Sequence, residues 1–153
     1  MTDIVDSQTR SRMMSSIRGK NTKPELIVRR FLHSKNFRFR LHSKNLPGRP
    51  DIVLPKYKVS IFVHGCFWHR HVGCRFATNP DENGDSWQRK FHQNVDRDSR
   101  QIRQLIKDGW GVIVIWECSL KAANFDLSWL PSEIQSQRTT YFEWPKPSEE
   151  LKP

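Results

Sequence analysis

Cysteine and histidine side chains are concentrated in one short stretch of this 153-residue chain. Cys66, His71 and Cys74 lie close together there, and Cys118 is the third cysteine. Thiolate and imidazole ligands suit Zn²⁺, and four of them close the tetrahedron of a structural site. We therefore predict a structural zinc site that ties the segment 64–76 to the end of a later strand. In the alternative interpretation, Cys118 is a small buried hydrophobe and the other two cysteines are incidental.

A second set of side chains has the chemistry of hydrolysis. Asp51 opens an apolar run, where its carboxylate oxygens can hold a hard cation such as Mg²⁺. Such a cation stabilises the charge that builds up on a phosphodiester under attack. His64 and His69 stand on either side of Cys66, so one imidazole can take a proton from water while the other gives one to the leaving oxygen. Glu25 is a further candidate for this site.

Each of these assignments has an alternative. Glu25 stands at the acidic position of a helix capping box, and it can serve the helix as well as the site. Asp51 can be a plain turn residue, and His69 can replace His71 as the zinc ligand. A hydrolytic zinc ion held by His64, His69 and His71 is another alternative.

The charge of the chain indicates a polyanionic partner. Lysine and arginine number 26 against 16 acidic residues, and the resulting net charge of +10 excludes an acidic enzyme without such a partner. Residues 1–50 hold 12 basic and three acidic residues, whereas residues 121–153 hold four and five. We expect nucleic acid rather than a membrane, because no apolar run reaches the roughly 18 residues of a membrane span. The alternative is a basic surface that serves solubility.

Two features of the sequence predict a cytoplasmic protein. The first ten residues are polar and unlike a signal peptide. An odd number of cysteines suits metal binding in a reducing compartment better than a disulfide framework.

The order of the hydrophobic patterns predicts one α/β domain over 1–153. Residues 1–20 are expected to form a polar arm that lies on DNA, and residues 120–153 an irregular C-terminal extension. Periodicity predicts helices at 23–35 and 87–107 and strands at 37–41, 51–54, 57–63 and 110–116. A helix, three strands, a helix and a strand make an α/β sandwich around a mixed sheet.

Three aromatic residues near the predicted site are candidates for DNA contact. Phe67 and Trp68 stand between the two histidines, and Trp87 opens the long predicted helix. Two adjacent bulky rings in a metal-bound loop cannot both face one core, so we expect at least one to be exposed. Exposed rings beside basic residues can wedge between base pairs of bent DNA. The alternative is core packing, above all for Trp87.

Four segments of the chain form a distinctive set: LPGRPD at 46–51, FVHGCFWH at 62–69, NVDRD at 94–98 and VIWEC at 114–118. Together they resemble the very short patch repair endonuclease family, and the likeness runs from about residue 7 to 120. The resemblance implies a restriction-endonuclease-like fold of the PD-(D/E)xK type, with a mixed central sheet flanked by helices and a structural zinc site. It also implies nicking of double-stranded DNA on the 5′ side of the thymine in a T·G mismatch left by deamination of 5-methylcytosine.

The resemblance further implies roles for individual residues. Asp51 and the backbone carbonyl of Val63 would hold Mg²⁺. His69 would activate the attacking water, His64 would assist at the phosphate, and Glu25 would support the site. The residues implied to contact DNA or to intercalate are Phe67, Trp68, Trp87, Met14, Lys90 and Asn94. We expect a monomer that leaves a 5′-phosphate, acts at the bacterial nucleoid and has mismatch-repair proteins and a DNA polymerase as further partners.

Two departures from the family pattern concern the site. Val72 and Gly73 separate His71 from Cys74 where the family usually has one residue, so the zinc loop must bulge. Val63 stands where threonine is common, and only its backbone oxygen is needed. Two other functions stay open: a nuclease of this fold with relaxed or different, restriction-like recognition, and a non-catalytic zinc-stabilised DNA-binding module.

Overall fold

We describe the fold from a computed structural model, for residues 22–71, 74, 77, 84–121, 125–136 and 140–145. The predicted DNA-contacting arm with Met14, and the bulge expected at Val72 and Gly73, lie outside these residues. The single domain over 1–153 stays a prediction. The elements in chain order are α1 Lys23–Ser34, β1 Arg40–Leu41, β2 Ile52–Leu54, β3 Val59–His64, α2 Gly84–Lys107, β4 Gly111–Trp116, α3 Glu117–Lys121, α4 Leu130–Gln135 and β5 Tyr141–Trp144.

Helix α1 begins where the capping residues predict it. The Thr22 Oγ1 accepts a hydrogen bond from the Glu25 backbone N–H at 3.3 Å. Pro24 fits the first turn, because no backbone N–H partner is needed there. Val28 and Leu32 are completely buried and turn the apolar side of the helix toward the sheet. Glu25 is only 1% exposed, so α1 also carries a carboxylate into the interior.

The five strands form one mixed sheet in the order β1-β2-β3-β4-β5. The pairs β1–β2 and β2–β3 are antiparallel, and the pairs β3–β4 and β4–β5 are parallel. Parallel neighbours need a crossover connection, which α2 provides between β3 and β4. The predicted α/β class, with a mixed sheet flanked by helices, is confirmed.

Both faces of the sheet are covered by helices. Along β4, Ile113 and Ile115 belong to a cluster with the buried residues of α1 and α4. Val112 and Val114 point the other way and pack with Leu105 of α2. Because side chains alternate across a strand, a strand buried on both faces is apolar throughout, and every residue of β4 is buried.

Helix α2 is the longest element, with 24 residues. It begins three residues earlier than predicted, at Gly84, and ends as predicted at Lys107. Gly109 follows with a φ of 89°, a conformation that favours glycine after a helix C-terminus. Neither α2 nor any other helix in the described part of the chain is long and apolar enough to cross a membrane.

The first strand is shorter than the predicted strand at 37–41. Only Arg40 and Leu41 pair with β2. The Phe37 N–H donates instead to the Leu32 carbonyl at the end of α1, so this residue completes the helix terminus. Alternation of apolar and basic residues shows which faces are buried, but it does not fix where strand pairing begins.

The prediction of an irregular extension over 120–153 is wrong for the described part of that segment. Helix α4 packs on the sheet, and β5 pairs in parallel with β4. The four strand residues of β5 are too few for a periodic signal to separate strand from loop. Pairing with the edge of β4, together with mutual packing of the Trp129, Phe142 and Trp144 rings, accounts for the strand.

Candidate active site and metal centre

Two parallel strands end side by side at the edge of the sheet that carries the site. Their last residues, His64 of β3 and Trp116 of β4, are paired in register. Two residues later each strand is followed by a cysteine, Cys66 or Cys118. Because parallel strands point the same way, both thiols reach the same edge although the whole of α2 separates them along the chain.

Three cysteines and one histidine meet at this edge. One ligand atom from each of Cys66, His71, Cys74 and Cys118 lies within 4.8 Å of the others. The His71 Nδ1 is 3.6 Å from the Cys66 Sγ and 3.5 Å from the Cys118 Sγ. Sulfur and nitrogen ligands bound tetrahedrally to one Zn²⁺ are about 3.6 Å apart, given bond lengths of about 2.3 and 2.1 Å. The donors and their spacing therefore fit a structural zinc ion.

Burial of these thiols makes their ionised form unfavourable unless a cation binds it. Burial strongly raises the pKa of the Cys66 thiol, and it also raises the pKa of the Cys118 thiol. A divalent cation offsets this cost, because it binds the thiolates directly and supplies the missing countercharge. Cys66 is completely buried, and its backbone N–H donates to the Glu117 Oε1 at 3.1 Å. The other three donors are half-buried, and together the four donors would fill the tetrahedral coordination of a structural site.

A second cluster joins two carboxylates and a histidine. Ligand atoms of Glu25, His42 and Asp51 lie within 4.8 Å of one another. Asp51 precedes β2, and its Oδ2 accepts the backbone N–H of Val63 on β3 at 2.7 Å. The His42 Nε2 lies 3.0 and 3.1 Å from the two carboxylate oxygens of Glu25, and Arg29 donates to one of these oxygens at 3.1 Å. The two antiparallel strands and α1 thus bring both acids to one place.

The proximity of the two acids makes this cluster a candidate cation site. Burial raises the pKa of Asp51 to about 7, the charge of Glu25 adds to the shift, and the Val63 N–H opposes it. A divalent cation at the carboxylates would offset both unfavourable effects. Carboxylate oxygens are the ligands that Mg²⁺ prefers, so the donor set fits that ion.

Helix α2 reaches the loop after β3 with two side chains one turn apart. The Asn94 Nδ2 donates to the Trp68 carbonyl at 3.2 Å, and the Asp98 Oδ2 lies 2.5 Å from the His69 Nδ1. An ionised carboxylate can only accept a hydrogen bond, so the His69 Nδ1 carries the proton. The Nε2 of the neutral ring then has an available lone pair, which a general base needs.

His64 lies directly behind His69. The two rings are stacked, with centroids 3.9 Å apart and planes at 7°. Burial lowers the pKa of His64 well below its ordinary value, and the charge of His69 adds to this shift. The His69 side chain is 26% exposed, whereas His64 is 5% exposed. The geometry therefore favours His69 as the base and disfavours His64 as a proton donor.

These groups open onto one cleft with a volume of about 750 Å³. Asp51, His64, His69 and Asp98 all line it, so the two candidate centres face the same space. Basic side chains at its rim suit the phosphates of a nucleic acid. They are Lys44, Arg49 and Arg97.

Four aromatic rings form a cluster beside the cleft. Phe67 contacts Trp68, Trp87 and Phe91, with centroids 5.1, 5.7 and 5.2 Å away. Phe91 is buried, and the other three rings are half-buried because they cover one another. The Lys90 Nζ lies 5.3 Å from the centroid of the Trp87 ring. Packing and solvent access thus coexist in this cluster, and its contact with DNA stays a prediction.

The arrangement separates the alternatives left by the sequence. His71 joins the cysteines, whereas His69 joins His64 and Asp98, so no donor group among the described residues combines His69 with His71 or with the cysteines. Glu25 serves both interpretations, because its backbone N–H binds the helix cap while its side chain turns into the site. The metal ions and the catalytic roles themselves stay predictions.

Comparison with known proteins identifies the family. Residues 2–75 match the family model described as DNA mismatch endonuclease Vsr. The type II nicking enzyme V.XorIIP of Xanthomonas oryzae pv. oryzae is 48% identical over 120 residues, which cover 78% of this chain and 88% of that protein. The DNA mismatch endonuclease Vsr of Escherichia coli is 40% identical over 121 residues, which cover 79% of this chain and 77% of that protein. The chain belongs to the Vsr family of DNA mismatch endonucleases.

Membership of the Vsr family confirms the resemblance inferred from the four sequence segments. It also confirms the predicted class of activity, a DNA endonuclease, and disfavours a module that only binds DNA. A second nicking enzyme, V.NmeAIP of Neisseria meningitidis, is 47% identical over 121 residues, which cover 79% of this chain and 86% of that protein.

Two side chains of this Vsr site carry no role in the sequence-based prediction. Asp98 lies inside one of the four segments, and its position one helical turn after Asn94 was an available signal. His42 has no such signal, because its partner Glu25 comes from a distant element. Only the folded chain shows that His42 faces the carboxylate.

Proposed function

We propose that this chain is a Mg²⁺-dependent endonuclease that nicks one DNA strand on the 5′ side of the thymine in a T·G mismatch and leaves a 5′-phosphate. The observation that carries the proposal is that Asp51 and the His69–Asp98 pair face one cleft. The family supplies the class of substrate, a mismatched duplex. Within the same proposal, the fold is restriction-endonuclease-like, and the enzyme is a cytoplasmic monomer that acts at the nucleoid with mismatch-repair proteins and a DNA polymerase.

The proposed chemistry assigns proton transfer to His69. Its Nε2 takes the proton of the water that attacks phosphorus, the bond from phosphorus to the 3′ oxygen breaks, and that oxygen takes a proton from solvent. Asp98 holds the ring in the required tautomer and stabilises the imidazolium that forms. His64 stacks on the far side of the His69 ring, keeps water from it and assists at the phosphate as a neutral group. The stacking fixes the ring plane, so the lone pair keeps one direction.

Two metal ions complete the proposal. Asp51 and the backbone carbonyl of Val63 would hold Mg²⁺, with Glu25 supporting the Asp51 carboxylate. When bound, Mg²⁺ supplies charge stabilisation for the phosphate oxygens. Zn²⁺ would be held at the cysteine cluster, where it would fix the loop that carries His69 and that follows His64 at the end of β3. Its ligands are Cys66, His71, Cys74 and Cys118.

The mismatched duplex would be held by the aromatic cluster and the basic rim of the cleft. Phe67, Trp68 and Trp87 are the proposed intercalating rings, since all three keep part of their surface accessible. Lys90 and Asn94 stand on the same helix as Trp87, next to these rings. Met14, on the N-terminal arm, is the remaining proposed contact.

A nicking assay on paired duplexes tests the proposal. One duplex carries a single T·G mismatch, the other has T·A at the same position, and both are labelled on the thymine strand. We expect one Mg²⁺-dependent nick, in the T·G duplex only, whose end a DNA ligase can reseal. Cutting of both duplexes would instead favour relaxed recognition, and binding without cutting would favour the non-catalytic module.

Two variants and a panel of substrates sharpen the assay. Asp51→Asn should abolish nicking and leave DNA binding near wild type. Asp96→Asn is the control, because Asp96 is an exposed aspartate on the side of α2 that faces away from the sheet. This variant should nick like wild type. Duplexes with T·G in different flanking sequences show whether recognition extends beyond the mismatch, and equal cutting of all of them rejects a fixed site.

A further inference from the structure

Trp116 lies between the two groups of histidines. Its ring stacks on His71 of the cysteine cluster, with centroids 4.2 Å apart and planes at 6°. It also meets His64 edge-on, with centroids 5.2 Å apart and planes at 70°. Since His64 stacks in turn on His69, four rings are in continuous contact from the zinc ligands to the proposed base.

A residue of the C-terminal strand fixes Trp116. The Trp116 Nε1 donates a hydrogen bond of 2.6 Å to the Glu143 Oε1. Glu143 pairs with Val114 in the β4–β5 register, and its side chain is on the same face of the sheet as Trp116 because alternate residues share a face. The other carboxylate oxygen of Glu143 accepts the Tyr141 hydroxyl at 3.2 Å.

The Glu143 carboxylate also lies behind the zinc-ligand histidine, with the Trp116 indole ring between the two. Carboxylates beside metal-bound imidazoles commonly fix the orientation of the ring and raise its basicity. Here the carboxylate accepts a hydrogen bond from the Trp116 indole, and that indole ring stacks on the His71 imidazole.

We propose that Glu143 is a positioning residue that holds Trp116, and through it the zinc-binding His71 and the histidine pair, so that the C-terminal strand completes the active site. The inference rests on the proposed function for the zinc ion and for His69. Trp116 is 7% exposed, so loss of the acceptor leaves its N–H with little access to water. The indole ring then shifts to find a partner, and the two imidazoles in contact with it, His71 and His64, shift as well.

Zinc release tests the inference without reference to activity. The zinc-loaded proteins are mixed with a chromogenic chelator, and the rate of zinc transfer is recorded under native conditions. Glu143→Ala should release zinc about tenfold faster than wild type, the lower end of the effect of an outer carboxylate, because its contact is indirect. Glu143→Gln keeps an oxygen that accepts the indole N–H and should stay near the wild-type rate. Tyr141→Phe removes only the bond to the other oxygen and is the matched control.

Nicking kinetics supply the second readout. Displacement of the catalytic histidines should lower kcat of Glu143→Ala and leave KM for the T·G duplex unchanged, since a small misplacement of reacting groups slows the chemical step without weakening binding. A merely structural loss of strand β5 would reduce the active fraction and stability, with no faster zinc release from the folded protein.

A double-mutant cycle assigns the effect to the indole N–H. Trp116→Phe keeps an aromatic ring and removes the N–H, so Glu143→Ala should add little further zinc release in that background. Equal release by Glu143→Ala and wild type, or an undiminished effect in the Trp116→Phe background, overturns the inference. If Glu143→Ala does not fold, the other two variants test the inference. Faster zinc release by Trp116→Phe together with wild-type release by Glu143→Gln supports the inference. Wild-type release by Trp116→Phe together with faster release by Glu143→Gln rejects it. A wild-type protein without bound zinc rejects the proposed zinc site as well, whereas failure of the variants alone rejects only this inference.

Discussion

Asp51→Asn should stabilise the magnesium-free protein while it abolishes nicking. Burial raises the pKa of Asp51 from 3.8 to about 7. At pH 8 the ionised carboxylate is then about 4 kcal/mol less favourable in the folded than in the unfolded chain, since each pKa unit corresponds to about 1.4 kcal/mol. Asparagine carries no charge and can still accept the Val63 N–H, so we expect most of this free energy to return as stability.

The gain from Asp51→Asn should depend on pH in one direction. Because the folded-state pKa of Asp51 is the higher one, the folded chain binds more protons between about pH 4 and pH 7, and this group makes the wild type less stable as the pH rises. Below about pH 4 the carboxyl is protonated in both states and the difference disappears. The gain should therefore fall from about 4 kcal/mol at pH 8 to less than half of that at pH 5.

Urea unfolding of the zinc-loaded proteins without added Mg²⁺ measures this gain. Comparing Asp51→Asn with wild type at each pH cancels the titration of groups that both proteins share. Asp96→Asn, at an exposed position, should change the free energy of unfolding by less than about 0.5 kcal/mol at either pH. Mg²⁺ at pH 8 should stabilise wild type but not Asp51→Asn. A variant no more stable than wild type at pH 8, or equally stabilised at both pH values, would refute the account of this carboxylate.

Three further predictions concern the remaining parts of the site. Asp98→Asn should lower kcat for nicking by about 10²–10⁴-fold with KM unchanged, because His69 loses its fixed tautomer; single-turnover kinetics that show weaker DNA binding instead would contradict this. Cys118→Ser should lower the zinc content of the purified protein and its Tm, and an unchanged metal content by mass spectrometry would exclude Cys118 as a ligand. Phe67→Ala should reduce the ratio of T·G to T·A duplex binding, and an unchanged ratio in a titration would count against intercalation by this ring.

The sheet was largely predictable because its central strands are buried on both faces. The continuous apolar run of β4 and the capping residues of α1 are local signals, and the structure has both elements close to the predicted bounds. The outer strands were not predictable in the same way. Phe37 completes a helix terminus instead of joining β1, and β5 exists because β4 offers it an edge. Pairing at an edge depends on a distant partner that a local pattern does not contain.

The candidate site likewise has parts that local sequence patterns predict and parts that depend on distant residues. The zinc donors were predictable because thiols and imidazoles are rare, chemically selective and mostly close in sequence. The choice between His69 and His71 was not, since both lie in the same loop and only their neighbours differ. Asp98 faces His69, whereas the cysteines face His71. Glu143 lies in a segment whose composition gave no functional signal, and its role follows from register in the sheet.

By itself the sequence determined the chemistry that is available: the metal-binding donors, the acids and bases, the excess of positive charge and the motifs of the family. Such features are properties of residue types and short spacings, which survive without a fold. Tertiary structure alone decided which donor meets which acceptor, because residues distant in the chain become neighbours only when strands pair and helices pack. The partnership of His42 with Glu25, and of Trp116 with Glu143, is set by that packing and by the loss of water that makes an unpaired polar group costly.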